Sequence, residues 1–198
     1  MNTHEDPRLI ATRTQAIEAA LKLLREKGVL AVTHASVSAK TGISRSTLYR
    51  HWPTLNDLRN NAFRQAATSP DFAARTNGPL KTDLAWILGV LLTALNDTAW
   101  GQVAPQVIAA AATDDQAKSV INSFMADRFE NVREIFNAAK ERGELPTDLD
   151  VQPLIEMAVA VPYFRKLVAG LPLDADWLET HVDLICELAT SASTTMRR

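Results

Sequence analysis

Residues 44 to 51 set Ser44, Arg45, Ser46, Thr47, Tyr49, Arg50 and His51 around one apolar residue, Leu48. Side chains of these types suit a polyanion with readable edges. Arginine takes guanine bidentately, serine and threonine bond several base edges, and the threonine methyl fits thymine. A tyrosine hydroxyl reaches phosphate oxygens. The unpaired N–H groups at a helix start, here capped by Ser44, also favour phosphate. The alternative is a solvated basic face on an ordinary packing unit.

Such a row needs a rigid mount. Gly42 supplies a tight turn, because only glycine takes the left-handed conformation without strain. Ser38 is small enough for close helix contact, Val37, Ile43 and Leu48 plug the space beneath, and Trp52 sits under the helix end. Apolar spacing is helical nearly everywhere and strand alternation is absent, which predicts an all-α chain of about nine helices. A first helix is expected from Pro7 to Lys27, ended by Gly28. Thr33 caps a second that Gly42 stops, and Ser44 caps a third that ends before Trp52-Pro53. Thr54-x-x-Asp57 reads as a capping box for a fourth helix, running to about Ala67.

Loop signals in Ser69-Pro70-Asp71 and Asn77-Gly78-Pro79 mark Thr68 to Pro79 as the boundary between domains 1–67 and 68–198. After it, Leu84 to Leu95 is apolar on every side and is expected to be enclosed by other helices. Further helices are expected over Gln102–Ala112, Asp114–Arg142, Val151–Ala169 and Asp174–Ala189, with Ser191–Arg198 frayed. Pro105 interrupts the first of these. Pro162 should kink the third or loosen a turn.

The net charge of −2 conceals a division: residues 1–66 carry +5 and residues 67–198 carry −7. A basic first third on an acidic remainder implies an anionic polymer at one end only. Cys186 is the sole cysteine, so no intrachain disulfide forms and a reducing compartment is expected. The polar start of the chain has no signal-peptide pattern, and Leu84–Leu95 is far short of a bilayer span. These features predict a soluble, cytoplasmic, nucleoid-associated protein with no membrane partner. His4, His34, His51 and His181 are scattered without metal-ligand spacing. No phosphate-cradling glycine loop is present, and Cys186 lies on an apolar stripe. No catalytic residue, metal or cofactor is expected.

Gly28, Thr33, Gly42-Ile43-Ser44, Thr47-Leu48-Tyr49 and Trp52-Pro53 together resemble the N-terminal domain of the tetracycline-repressor (TetR) family of bacterial transcriptional regulators, without gaps over about residues 10–65. The resemblance implies an N-terminal three-helix helix-turn-helix domain and a C-terminal helical ligand-binding and dimerisation domain. It implies a homodimer on a palindromic double-stranded DNA operator, released by a small apolar or amphipathic effector, and repression rather than activation. By position, Thr33 and Tyr49 fall on phosphate contacts, and Arg45, Ser46, Thr47, Arg50 and His51 fall along the recognition helix. Leu55 stands where the family commonly carries lysine.

Trp86, Trp100, Phe124, Met125 and Phe129 are the candidates to line an effector pocket, as the resemblance suggests; the alternative is that they fill the core. The last two helices look like the family's dimerisation pair. One stripe holds Leu154, Ala158, Val161 and Val168, the other Trp177, Leu184, Ile185 and Leu188. Packed on a second copy they make a four-helix bundle; alternatively they cover the chain's own core. The stretches Arg142–Asp150 and Tyr163–Pro172 look like one common C-terminal subfamily. A rival to the ligand-responsive repressor is an effector-independent architectural DNA-binding protein.

Overall fold

Short polar side chains write the helix boundaries of the N-terminal part. In the computed structural model, which describes residues 7–67 and 72–195, α1 spans Pro7–Lys27. A single 3-10 turn, Val29–Ala31, follows Gly28. Thr33 then caps α2 (His34–Thr41) with a full capping box: its hydroxyl accepts from the Ser36 N–H, and the Ser36 hydroxyl accepts from the Thr33 N–H, both at 3.0 Å. Gly42 ends α2 at φ +76°, and its N–H bonds the Ser38 carbonyl. Ser44 caps α3 (Arg45–His51) by accepting from the Thr47 N–H at 3.2 Å. At the head of α4 (Leu55–Ala67), Asp57 accepts from the Thr54 N–H while the Thr54 hydroxyl accepts from the Asp57 N–H. These two bonds satisfy donors that a helix start leaves unpaired.

The remaining described helices are α5 (Leu80–Asp97), α6 (Ala99–Ala111), α7 (Asp115–Glu141), α8 (Gln152–Tyr163) and α9 (Ala175–Thr195). The described residues are thus all-helical, with nine α-helices and no strand. The α9 helix continues through Thr195, beyond the expected end at Ala189. The Ser69-Pro70-Asp71 turn signal lies outside the described residues. Among those residues no single helix is long and apolar enough to cross a membrane.

Two compact units form, one of Met1–Thr68 with Gln102–Ser123, the other of Ser69–Gly101 with Phe124–Arg198. In the first, α1 packs on α4 and α2, and its core gathers Ala16, Ala20, Leu24, Val37, Leu48, Leu58 and Phe63. Gln106 of α6 donates to the Leu24 carbonyl at 3.2 Å, and Asn60 of α4 donates to Gln116 of α7 at 3.0 Å.

In the second unit α5 packs on α8 and α9 through Leu84, Ile87, Leu88, Leu91 and Leu95. Its opposite side is not enclosed as expected: Trp86 is exposed beside Ala85, Gly89, Val90 and Thr93. Gly101, in the first turn of α6, lies against the Leu95 backbone, where a Cβ would collide with the Leu95 carbonyl. Pro162 acts as the sequence predicts. It cannot donate to the Ala158 carbonyl four residues back, and the buried His181 ring contacts that oxygen at 3.3 Å through Nε2. Directly after it the helix widens into a π-turn over Phe164–Val168, with the Ala169 N–H reaching the Phe164 carbonyl.

Candidate functional site

Leu48 is fully buried, and so fixes which side of α3 faces inward. Arg45 and Tyr49 then form one outward column at i, i+4 spacing, and Ser46 and Arg50 form the next. All four are exposed, Tyr49 to 52%. Thr47 is half-buried, and the Ser44 hydroxyl lies 2.9 Å from both the Ser46 and Thr47 hydroxyls. The helix therefore opens on three clustered hydroxyls. Neither Arg45 nor Arg50 is drawn into an ion pair among the described residues, so both guanidinium forks remain available. His51 is half-buried with its ring tilted against Trp52, 5.6 Å between centroids. It thus stands at the edge of the row rather than within it. Thr33 spends its hydroxyl on the α2 cap and is half-buried, so it offers a helix start.

The mount beneath is well tied. Trp52 is 2% exposed, and the Arg59 Nε–H donates to the Val32 carbonyl at 3.2 Å. Hydrogen bonds from the Thr54 hydroxyl and N–H lower the Asp57 carboxyl below its ordinary range, so the α4 cap stays ionised at neutral pH. One residue the sequence reading passed over is His34. It is buried, stacks on Tyr49 and bonds the Trp52 carbonyl. Its place three residues before the buried Val37, on the inner face of α2, was the available signal.

The second unit divides the effector candidates. Trp86 alone of the five lines a groove of about 480 Å3 on α5, with Ala85, Gly89, Val90, Thr93, Ala94 and Thr98. The Arg75 guanidinium lies over the Trp86 ring, 3.1 Å from its centroid. Trp100 and Phe124 are buried against one another, 4.1 Å between centroids, and the Trp100 Nε1–H donates to the Tyr163 hydroxyl at 3.0 Å. Burial pushes that hydroxyl up to about 12, with the Trp100 bond and the Arg128 charge pulling the other way. Trp100 and Phe124 are 2% and 5% exposed and belong to the buried core. Met125 and Phe129 are half-buried on α7, outside the groove. Asn96 is a structural tie, donating to the Leu173 carbonyl and accepting from Lys166.

The expected dimer stripes are divided as well. Leu154 and Ala158 are buried, at 5% and 0% exposure, so that part of the α8 stripe faces the chain's own core, as do Val182 and Ile185 on α9. Trp177 is half-buried, its ring stacked on His181 at 4.7 Å. What α8, the π-turn and α9 leave exposed is Met157, Val161, Phe164, Val168, Leu171, Leu184 and Leu188. Of the six residues expected at the interface, Val161, Leu184 and Leu188 are on that surface.

A capped, basic, hydroxyl-rich helix on a three-helix support defines a helix-turn-helix DNA-binding protein. Residues 16–61 match the family model described as bacterial regulatory proteins, tetR family, and residues 61–185 match the tetracyclin repressor-like C-terminal domain. The chain belongs to the TetR family of transcriptional regulators. It is 30% identical over 177 residues to a DNA-binding transcriptional repressor TetR from Mycobacteroides abscessus, covering 87% of this chain and 90% of the relative. A solved TetR family transcription regulator superposes with a TM-score of 0.67 at 25% identity, over 88% of this chain and 96% of that one. The multidrug binding protein EbrR, solved in complex with imidazole, shares the fold at 20% identity and a TM-score of 0.65, over 93% and 95%.

Proposed function

We propose that this regulator is a homodimeric repressor whose two α3 helices read a palindromic operator and whose second unit responds to a small molecule. The observation that carries the reading is the outward row on α3, with Arg45, Ser46, Tyr49 and Arg50 exposed over the buried Leu48. In this reading Arg45, Ser46, Thr47 and Arg50 address base edges, while Tyr49, Ser44 and the α2 start at Thr33 address phosphates. His51 belongs to the rim of the contact. Residues 1–67 carry the DNA reader, and most of the second unit carries dimerisation and response.

Dimerisation is supported by the exposed Val161, Phe164, Val168, Leu184 and Leu188 on and between the packed helices α8 and α9, because exposed apolar side chains gathered on packed helices mark an interface. The two recognition helices of such a dimer must lie about one DNA turn, roughly 34–36 Å, apart to enter successive major grooves. For the effector, the α5 groove beside Trp86 fits a small apolar or amphipathic molecule, and the multidrug binding protein EbrR, which shares the fold, is known in complex with imidazole. The effector weakens DNA binding only by its differential affinity for the two states. The filled Trp100–Phe124 core favours the rival reading, an effector-independent architectural protein.

The deciding experiment is selection of bound duplexes from a random pool, with the complex mass measured on the winner. An inverted repeat bound by two chains is the expected result. A non-repeating site bound by one chain overturns the proposal.

A further inference from the structure

We propose that His34 is a positioning residue that holds Tyr49 in place for its phosphate contact; the inference rests on the assignment of Tyr49 to phosphate. His34 is the first residue of α2 and is 3% exposed, yet it is polar on both sides of its ring. Its Nε2 lies 2.7 Å from the Trp52 carbonyl oxygen. A carbonyl only accepts, so Nε2 carries a proton and donates it. That bond fixes the plane of the imidazole. The Tyr49 ring stacks on it, 4.1 Å between centroids and 28° between planes.

Tyr49 itself is half in water, and no side-chain hydrogen bond to it is present among the described residues. An exposed tyrosine on a seven-residue helix samples several rotamers, and only some of them aim the hydroxyl away from the helix toward a backbone. Stacking on a ring that cannot turn removes that freedom before DNA arrives, which lowers the entropy lost on binding. Leucine or valine at this position fills the same space without offering a flat face.

The arrangement also ties three elements together. The ring begins α2, its proton goes to the residue that ends α3, and Trp52 leads through Pro53 and Thr54 into α4. A displacement of the α3–α4 turn that carries the Trp52 carbonyl away breaks the bond and frees the imidazole to turn. Tyr49 loses its support at the same moment. His34 thereby converts a movement of the turn before α4 into a change at a phosphate-contacting side chain.

Because a phosphate contact is indifferent to sequence, the test needs no known operator. The full chain is titrated, at low salt, into a fluorescent duplex of arbitrary sequence roughly 30 base pairs long, enough for two half-sites. Four variants are compared, His34→Leu, His34→Phe, Tyr49→Ala and His34→Leu with Tyr49→Ala. His34→Leu is expected to weaken binding about three- to tenfold, as for loss of one aromatic stack and one hydrogen bond. His34→Phe keeps a flat face but not the bond to the Trp52 carbonyl, and is expected to recover part of that loss. In the Tyr49→Ala background, His34→Leu changes nothing further. Circular dichroism and melting report whether each variant folds. Should His34→Leu fail to fold, His34→Phe alone and with Tyr49→Ala completes the same cycle, and a surviving coupling is expected. Equal losses with and without Tyr49, or identical behaviour of the leucine and phenylalanine variants, overturn the proposal. If Tyr49→Ala binds as well as the parent, the phosphate assignment itself has failed.

Discussion

In the proposed dimer, replacing Leu184 by glutamate introduces a charge among the apolar side chains that α8 and α9 leave exposed. Leu184 is 51% exposed in the protomer, so about half of its side chain is already in water. A folded monomer therefore tolerates the change well. Full burial of a leucine contributes about 1.5–3 kcal/mol, so the open half is worth roughly 1 kcal/mol, and about twice that across a symmetric dimer. Each new carboxylate is also desolvated in the contact, one helical turn from Leu188, at a cost of several kcal/mol if fully enclosed without a partner. Allowing relaxation toward water at the interface rim, we take about 1 kcal/mol per copy. The sum, about 4 kcal/mol, raises the dimer dissociation constant roughly a thousandfold. Sedimentation velocity over a dilution series should show a monomer at micromolar concentration, with unchanged circular dichroism and loss of operator binding. A folded L184E chain still dimeric at that concentration refutes the placement of the interface on these helices.

Further outcomes are expected at the turns, in the core and on the recognition helix. Gly42→Ala should cost about 1–2 kcal/mol in chemical denaturation, since φ +76° strains any Cβ while nothing lies within 4 Å of it. Gly101→Ala should cost more, because its Cβ meets the Leu95 carbonyl and the backbone itself must shift. With Tyr163 protonated up to about 12 in the folded chain and ionising near 10.0 when unfolded, stability should be full below pH 10 and fall as pH rises toward 12. Tyr163→Phe should flatten that window in a denaturation series, at a cost of about 1 kcal/mol for the Trp100 N–H left without an acceptor. Arg45→Ala should relax base preference at one operator position by about 1–3 kcal/mol, whereas Tyr49→Phe should weaken all duplexes alike. Binding across a panel of single-base operator variants separates the two, and a uniform loss from Arg45→Ala removes it from the base-reading set.

The legible part of this fold is the part written in local chemistry. Thr33 with Ser36, Ser44 with Thr47 and Thr54 with Asp57 each bond within three residues, so a boundary can be read before any tertiary structure exists. Gly42 and Pro162 act through their own backbones, and both behave as their residue types require. Leu48 gives the orientation of α3 for the same reason: one buried residue on a seven-residue helix leaves few choices for the rest.

What stayed hidden depends on which side of a helix another helix covers. Periodicity shows that Leu154, Ala158 and Val161 share a stripe, but not that the first two turn inward while Val161 stays at the edge. The difference is a rotation set by α5 and α9, both distant in sequence. That Trp100 and Phe124 pack on one another was hidden in the same way, since each is the other's neighbour across many residues of intervening chain. His34 joins the two cases. Its helix and its buried face were local facts, but its chemistry comes from Tyr49 and Trp52, brought to it by the turn at Gly42. A polar residue on the buried face of a short helix, beside an exposed residue assigned to binding, is where sequence reading should ask what the polar atoms hold.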